Sequence, residues 1–273
     1  MAAKNRGFRH WLGVLLLTAG LVIAGVWGWN TFGTTWWVRY QQRGMIAEFA
    51  EALPTASSVL VDPEVLYRDF ELNPPPEIDF DALDVGETFG ILTVPTWQDQ
   101  VGVWDEAIRN RTLVKQGGFT DAQTNRILNT GAAAHYTETA GPGEIGNFSI
   151  SAHRRSFGDN FLLLPELVEG DWVLLETPTA WFVYQVFGEG EIVLPTDTHV
   201  IDPDPFSPVN EDGTQNPTRR LMTMTTCTLP NGSPWGNSHR WVTHAELYGW
   251  MPRTAGIPPM IDQYWDAAAD YGI

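Results

Sequence analysis

An uncharged run of 19 residues, Trp11–Trp29 (WLGVLLLTAGLVIAGVWGW), constrains this chain more than any other feature. As a helix rising 1.5 Å per residue it spans about 28 Å, close to the hydrocarbon thickness of a bilayer. Whatever follows must fold as a separate body in water. Lys4, Arg6 and Arg9 precede the run and favour a cytoplasmic N-terminus, while Arg39 and Arg43 act against that bias. Trp27, Trp29, Phe32, Trp36, Trp37 and Tyr40 suit an interfacial aromatic belt. Val22-Ile23-Ala24 satisfies the small-residue rule of a cleaved signal peptide, but the apolar run continues through Val26, Trp27 and Trp29, which favours an uncleaved anchor. No later run is long enough to span. The expectation is a single-pass protein of the cell membrane, N-terminus cytoplasmic and main domain extracellular.

Charge divides the chain at the same place. The first 43 residues hold five of the 16 Lys and Arg and none of the 33 acids, leaving 11 basic against 33 acidic residues in 44–273. A surface this acidic repels nucleic acid, whose binders need a basic face. The single cysteine, Cys227, excludes an intrachain disulfide.

Residues 45–53 (MIAEFAEAL) read as a short amphipathic helix. Residues 54–86 are acidic and include Asn73-Pro74-Pro75-Pro76, which suits neither helix nor central strand, so they read as a spacer that holds the domain off the membrane. From residue 87 the chain turns to short strands. GILTVPTW (90–97), NFSISAH (147–153), DWVLLET (171–177), WFVYQVFGEGEIVL (181–194), RLMTMTTC (220–227) and RWVTHAELYGW (240–250) have the β-branched, aromatic or alternating character of strands, with one helical stretch at 120–130. The sum is a closed or nearly closed all-β barrel. The expected organisation is a cytoplasmic tail (1–10), a transmembrane anchor (11–29), a juxtamembrane segment and acidic spacer (30–86), a catalytic barrel (87–250) and a C-terminal tail (251–273).

The chain carries no GxGxxG after a strand, no Walker loop, no HExxH, no CxxC and no GxSxG. Its acids show no calcium-loop spacing. Cys227 sits at the end of a strand that opens into a loop, where a side chain is exposed and a nucleophile is useful. A thiol is mostly neutral at pH 7 and needs a base or cation nearby. His153 ends another strand and is the leading partner, with His244 and His135 as rivals. For an oxyanion, Arg240, Arg219, Arg220 and the Arg154-Arg155 pair are candidates, since a guanidinium supplies fixed charge and directed N–H groups.

These residues resemble the sortase family. Thr223-Met224-Thr225-Thr226-Cys227 is similar to the TLxTC signature, with Met224 where Leu is more common. Pro142-Gly143-Glu144-Ile145-Gly146-Asn147 leading to Ala152-His153-Arg154 resembles the PGE-x-GN…(G/A)HR segment that carries the family's catalytic His. Arg240 matches the Arg that opens the strand after the Cys, although the 13-residue step from Cys227 is longer than usual, which keeps Arg219 and Arg220 as alternatives. The resemblance covers roughly 87–250. It implies an eight-stranded barrel with short helices and a cysteine transpeptidase needing no cofactor or metal: Cys227 as nucleophile, His153 as acid and base, Arg240 as oxyanion donor, and Tyr136 and Thr226 at the substrate.

The pair His135-Tyr136 resembles class E sortases of high-GC Gram-positive bacteria, in which a Tyr here helps accept LAxTG in place of LPxTG sorting signals. The implied partners are proteins with a C-terminal sorting signal and a peptidoglycan-precursor amine or pilin lysine. Pilus-building class C enzymes are the alternative, and a non-catalytic barrel that binds wall proteins is another. Class C enzymes carry an upstream lid of Asp-Pro and an aromatic. Asp62-Pro63-Glu64 lacks the aromatic, and Asp204-Pro205-Phe206 has it in the wrong place.

Overall fold

The computed structural model describes residues 4–53, 65–97 and 111–264. α1 (Lys4–Gly28) contains all of the apolar run but Trp29, and a π-helical turn at Trp29–Gly33 leads into α2 (Thr34–Ala52). Phe8–Phe49 is one helix of 42 residues, long and apolar enough to cross a membrane. At 1.5 Å per residue it is about 63 Å long, so a bilayer core takes up only half of it.

α2 begins eleven residues before the short helix read from the sequence. Thr35, Val38, Gln42 and Ile46 recur at helical spacing and are buried against the barrel, while Trp36, Trp37 and Tyr40 stay exposed. Ile46 packs with Ile91, Leu113, Ile127, Ala132 and Ala134.

The barrel strands are β1 (Thr88–Thr93), β2 (Arg111–Lys115), β3 (Ala133–His135), β4 (Gly146–Ser151), β5 (Trp172–Glu176), β6 (Ala180–Val186), β7 (Glu191–Val193), β8 (Arg220–Thr228) and β9 (His239–Pro252). A helix, α3 (Asp121–Leu128), capped by the Thr120 side chain, lies between β2 and β3. Eight strands close in the order β6-β5-β1-β2-β3-β4-β8-β9 and back to β6, and β7 adds to the free half of β9. Closure removes the exposed sheet edge that eight open strands would leave. The β2–β3 and β4–β8 pairs are parallel.

Alternation sends Leu92, Val114, Phe148, Ile150, Leu175, Phe182, Met222, Met224 and Ala245 inward, all buried in one core. Each such side chain larger than Ala contributes about 1.5–3 kcal/mol by leaving water. Glu176 is buried between Arg111 (3.1 Å) and Arg253 (2.8 Å), a carboxylate shared by β2 and the turn after β9.

The strands depart from the sequence reading in number. The segment 181–194 is two strands, because Gly188 takes a left-handed φ of 66° and Gly190 packs on Trp241, where a Cβ would lie 2.7 Å from the indole. β2 and β3 were not anticipated; β3 is only three residues, Ala133-Ala134-His135, too short to show a period.

The described part of the spacer, 65–86, lies on the barrel. Tyr67 and Trp250 exchange backbone hydrogen bonds of 2.8 and 3.2 Å, and Phe70, Ile78, Phe80 and Leu83 pack on the core. Asp62-Pro63-Glu64 and residues 265–273 of the C-terminal tail lie outside the described residues.

Candidate active site

β4, β8 and β9 run side by side, and their even or odd alternation decides what the site contains. Phe148 and Ile150 of β4, Met222 and Met224 of β8 and Ala245 and Leu247 of β9 face inward. Asn147, Ser149 and Ser151, Thr223, Thr225 and Cys227, and Arg240, Val242 and His244 therefore face outward. Cys227 and Arg240 are directly opposed across β8 and β9.

The parallel β4–β8 register runs from Gly146↔Arg220 to Ser151↔Thr225, so two residues further His153 comes level with Cys227. Beyond the last formal pair, the chain stays attached through Ala152 N–H to Thr225 O (3.3 Å) and Thr226 Oγ1–H to Ala152 O (2.8 Å). A sulfur, an imidazole and a guanidinium thus arise at one level from three adjacent strands, whose axes lie about 4.8 Å apart. Cys227 is half-buried and free.

The segment before β4 aims that strand. Gly143 takes a φ of 76°, and a Cβ there would lie 2.6 Å from Phe182. Its N–H donates to Tyr184 Oη (2.8 Å), while the Glu144 carboxylate accepts from Gly141 N–H (2.8 Å). Asn147 is buried and donates to Val200 O (3.2 Å) and Asp202 O (3.0 Å), while its Oδ1 accepts from Thr223 Oγ1 (2.8 Å). The PGE-x-GN residues are scaffold: they fix β4 to β8 and tie down the β7–β8 connection.

His153 lies between two residues that sequence reasoning missed. Its Nε2 pairs with Asn129 Oδ1 at 2.9 Å, and its ring stacks on Phe157 with centroids 5.4 Å apart. A donated Nε2–H leaves Nδ1 as the basic nitrogen of the neutral ring. Burial holds its pKa below the ordinary value, and the Asp159 carboxylate pulls the other way. The loop after it is strained: Ser156, Phe157 and Asp159 have φ of 70°, 48° and 53°. Left-handed backbone at non-glycine residues costs about 1–2 kcal/mol each. No sequence spacing connects residue 129 with 153; the only hint was an Asn at the end of a helix.

The rival histidines are placed elsewhere. His135 is buried inside the barrel beside Phe80 and Phe148, with Nδ1 on Gln116 Oε1 (3.1 Å) and Nε2 on Ala140 O (3.1 Å). His244 pairs with Thr223 Oγ1 (2.9 Å), four positions along β8 from Cys227. Desolvation lowers both to about 4, so both are neutral near pH 7.

Arg220 opens β8 and Arg219 precedes it, about 23 and 26 Å from Cys227 at 3.3 Å per residue. Arg219 pairs with Glu246 (2.6 Å), and Arg220 donates to Gly143 O. Arg154 donates to Thr228 Oγ1 (2.7 Å), and Arg155 lies 4.1 Å over the Trp235 ring. Of the candidate guanidinium groups only that of Arg240 is set opposite Cys227, with Nη1 donating to Asn237 O (2.9 Å) and His239 O (3.0 Å).

Tyr136 and Thr226 separate. Tyr136 faces the outer side, where its hydroxyl meets Thr225 Oγ1 at 2.8 Å and its ring lines a cavity of about 320 Å³ with Phe119, Thr139, Ser151 and Ile201. Thr226 points inward and is buried, its hydroxyl spent on Ala152 O. It ties β4 to β8 and does not share the outer face with Cys227. Phe206 of Asp204-Pro205-Phe206 packs on His244 and Phe187, at the opposite end of the face from Cys227.

The sortase-domain family model matches residues 105–248, more than half of the chain. The chain belongs to the sortase family. Sortase SrtE2 of Streptomyces coelicolor is 27% identical over 241 residues, covering 86% of this chain and 80% of that protein. Sortase SrtE1 of the same organism is 29% identical over 140 residues, which is 50% of this chain but only 37% of that relative's length. Among solved structures, the SrtA sortase from Actinomyces oris superposes with a TM-score of 0.58 at 34% identity, covering 71% of this chain and 96% of that one. The closed eight-stranded barrel is the sortase fold, and the likeness to class E is carried by SrtE1 and SrtE2.

Proposed function

We propose that this sortase is a cysteine transpeptidase of the class E type, anchored by α1 with its N-terminus cytoplasmic and its barrel extracellular. Cys227 gives its thiol proton to His153 as Sγ attacks the Thr carbonyl carbon of an LAxTG or LPxTG signal. Arg240 stabilises the oxyanion of the tetrahedral intermediate. The Thr–Gly C–N bond breaks as His153 gives a proton to the leaving amine, leaving a thioester. An incoming amine then loses a proton to His153, attacks the thioester carbonyl and releases Cys227. A peptidoglycan precursor is the proposed amine donor, and no metal or organic cofactor enters these steps.

What supports this reading is the opposed pair Cys227↔Arg240, with His153 reaching the same level from β4. Tyr136, which lines the cavity with Phe119 and meets Thr225 two residues before Cys227 on β8, is the proposed reader of the LAxTG signal. The full chain in detergent, given LAxTG or LPxTG peptides, should form an acyl adduct on Cys227 detectable by mass spectrometry and pass it to an added amine. Tyr136→Ala should reduce use of LAxTG more than of LPxTG. No adduct with either peptide, or full transfer by Cys227→Ala, would end the proposal; transfer to a pilin lysine alone would reassign it to pilus assembly.

A further inference from the structure

Among the described residues, Asn129 and Phe157 touch the imidazole of His153, and both belong to short turns braced by α2. On one side, Asn129 caps α3 and leads into Gly131. The Gly131 carbonyl accepts from Gln42 Nε2 of α2 and from Asn160 Nδ2. Gly131 has a φ of 79°, and a Cβ there would collide with Val38 and Gln42. On the other side, Phe157 N–H donates to Thr34 Oγ1 (3.4 Å) and Thr35 Oγ1 donates to Asp159 Oδ1 (3.3 Å). Arg39 reaches Asp159 (3.6 Å) and the Gly158 carbonyl (3.5 Å). Val38 and Gln42 also approach Gly158, so the same two side chains lie between both turns.

A loop with three non-glycine residues at positive φ keeps that shape only where its surroundings over-determine it. Here α2 supplies the surroundings. α2 is also the direct helical continuation of the apolar span, with Trp36, Trp37 and Tyr40 exposed along it.

We propose that α2 is a positioning element for His153: the extension of the membrane anchor clamps the 129–131 turn and the 156–159 loop around the imidazole, so that anchor and catalytic loop move as one unit. This rests on the reading of His153 as acid and base. The groups set around that imidazole are Asn129 and Phe157, Asp159 with Arg39 of α2 behind it, and Cys227 and Arg240 on the neighbouring strands. Loss of Arg39 leaves Asp159 less neutralised and loosens the loop to water, and both effects raise the His153 pKa.

The test compares full-length protein in detergent with Arg39→Gln, Gln42→Ala and, as a control on the exposed face of α2, Gln41→Ala. Hydrogen exchange by mass spectrometry should be at least tenfold faster over 127–133 and 154–162 in the first two variants, with β5 and β6 unchanged. kcat/KM for transfer should fall about five- to twentyfold through kcat, with KM for the signal peptide unchanged and the acidic limb of the pH profile moved up in Arg39→Gln. Gln41→Ala should match the parent. Unchanged exchange in variants that melt like the parent overturns the clamp. If the parent transfers no peptide, the enzymatic reading fails while the exchange result still decides the clamp.

Discussion

Cys227 and Arg240 stand directly opposite each other on antiparallel β8 and β9. Cβ atoms in such pairs lie about 5 Å apart, so a long guanidinium side chain reaches any oxygen that develops next to the sulfur. Arg240 is pinned by carbonyls of its own loop, at Asn237 and His239, and enters no ion pair among the described residues. Its charge is therefore available to a substrate.

Arg240→Ala should lower kcat/KM for transfer about 10²–10³-fold, the usual effect of removing an oxyanion donor. Arg240→Lys should recover only part of this, because an ammonium lacks the planar fork. Steady-state kinetics with a signal peptide and an amine measures both. Equal activity of the Ala variant would leave the opposed pair without a catalytic role.

Asn129 holds the Nε2 side of His153. Asn129→Ala should reduce kcat about tenfold by freeing the ring tautomer and orientation. Asn129→Asp keeps the acceptor and adds a negative charge, so it should restore much of the rate and raise the His153 pKa. A pH–rate profile separates the two variants: the acidic limb moves up for Asp and not for Ala.

His135 and His244 have folded-state pKa values of about 4, below the ordinary 6.5. Because these values are depressed, the unfolded chain takes up protons first as pH falls. The associated stability is whole above pH 6.5 and is lost between 6.5 and 4, on the order of 3 kcal/mol for each residue. Thermal melts across that window should show the decline, and His244→Gln should flatten its slope by about half.

The buried Glu176 is shared by Arg111 and Arg253. Glu176→Gln removes the carboxylate that both guanidinium groups use, and should destabilise the barrel by about 3–5 kcal/mol. Urea unfolding followed by tryptophan fluorescence measures this. A change below 1 kcal/mol would show that the pair of arginines is accommodated without that charge.

Much was written in local sequence. A charge-free run of 19 residues is legible because its helical length matches the thickness of a bilayer core. β4, β8 and β9 were legible because side chains alternate with period two, and that same alternation put Cys227 on the outer face. What sequence alone left open were matters of long-range pairing. His153, His135 and His244 look alike as residues near strand ends; only the register of β4 on β8 brought His153 level with the sulfur, while burial neutralised the other two. Arg240, rather than Arg219 or Arg220, stands opposite Cys227 because antiparallel pairing brings the start of β9 back beside the end of β8. The role of α2 was hidden for the same reason: its buried face reads as an ordinary helix stripe until the turns it grips, 89 and 124 residues away, are folded against it. Periodicity is a property of neighbours along the chain, whereas a site belongs to neighbours in space, and closure of the barrel is what makes the one into the other.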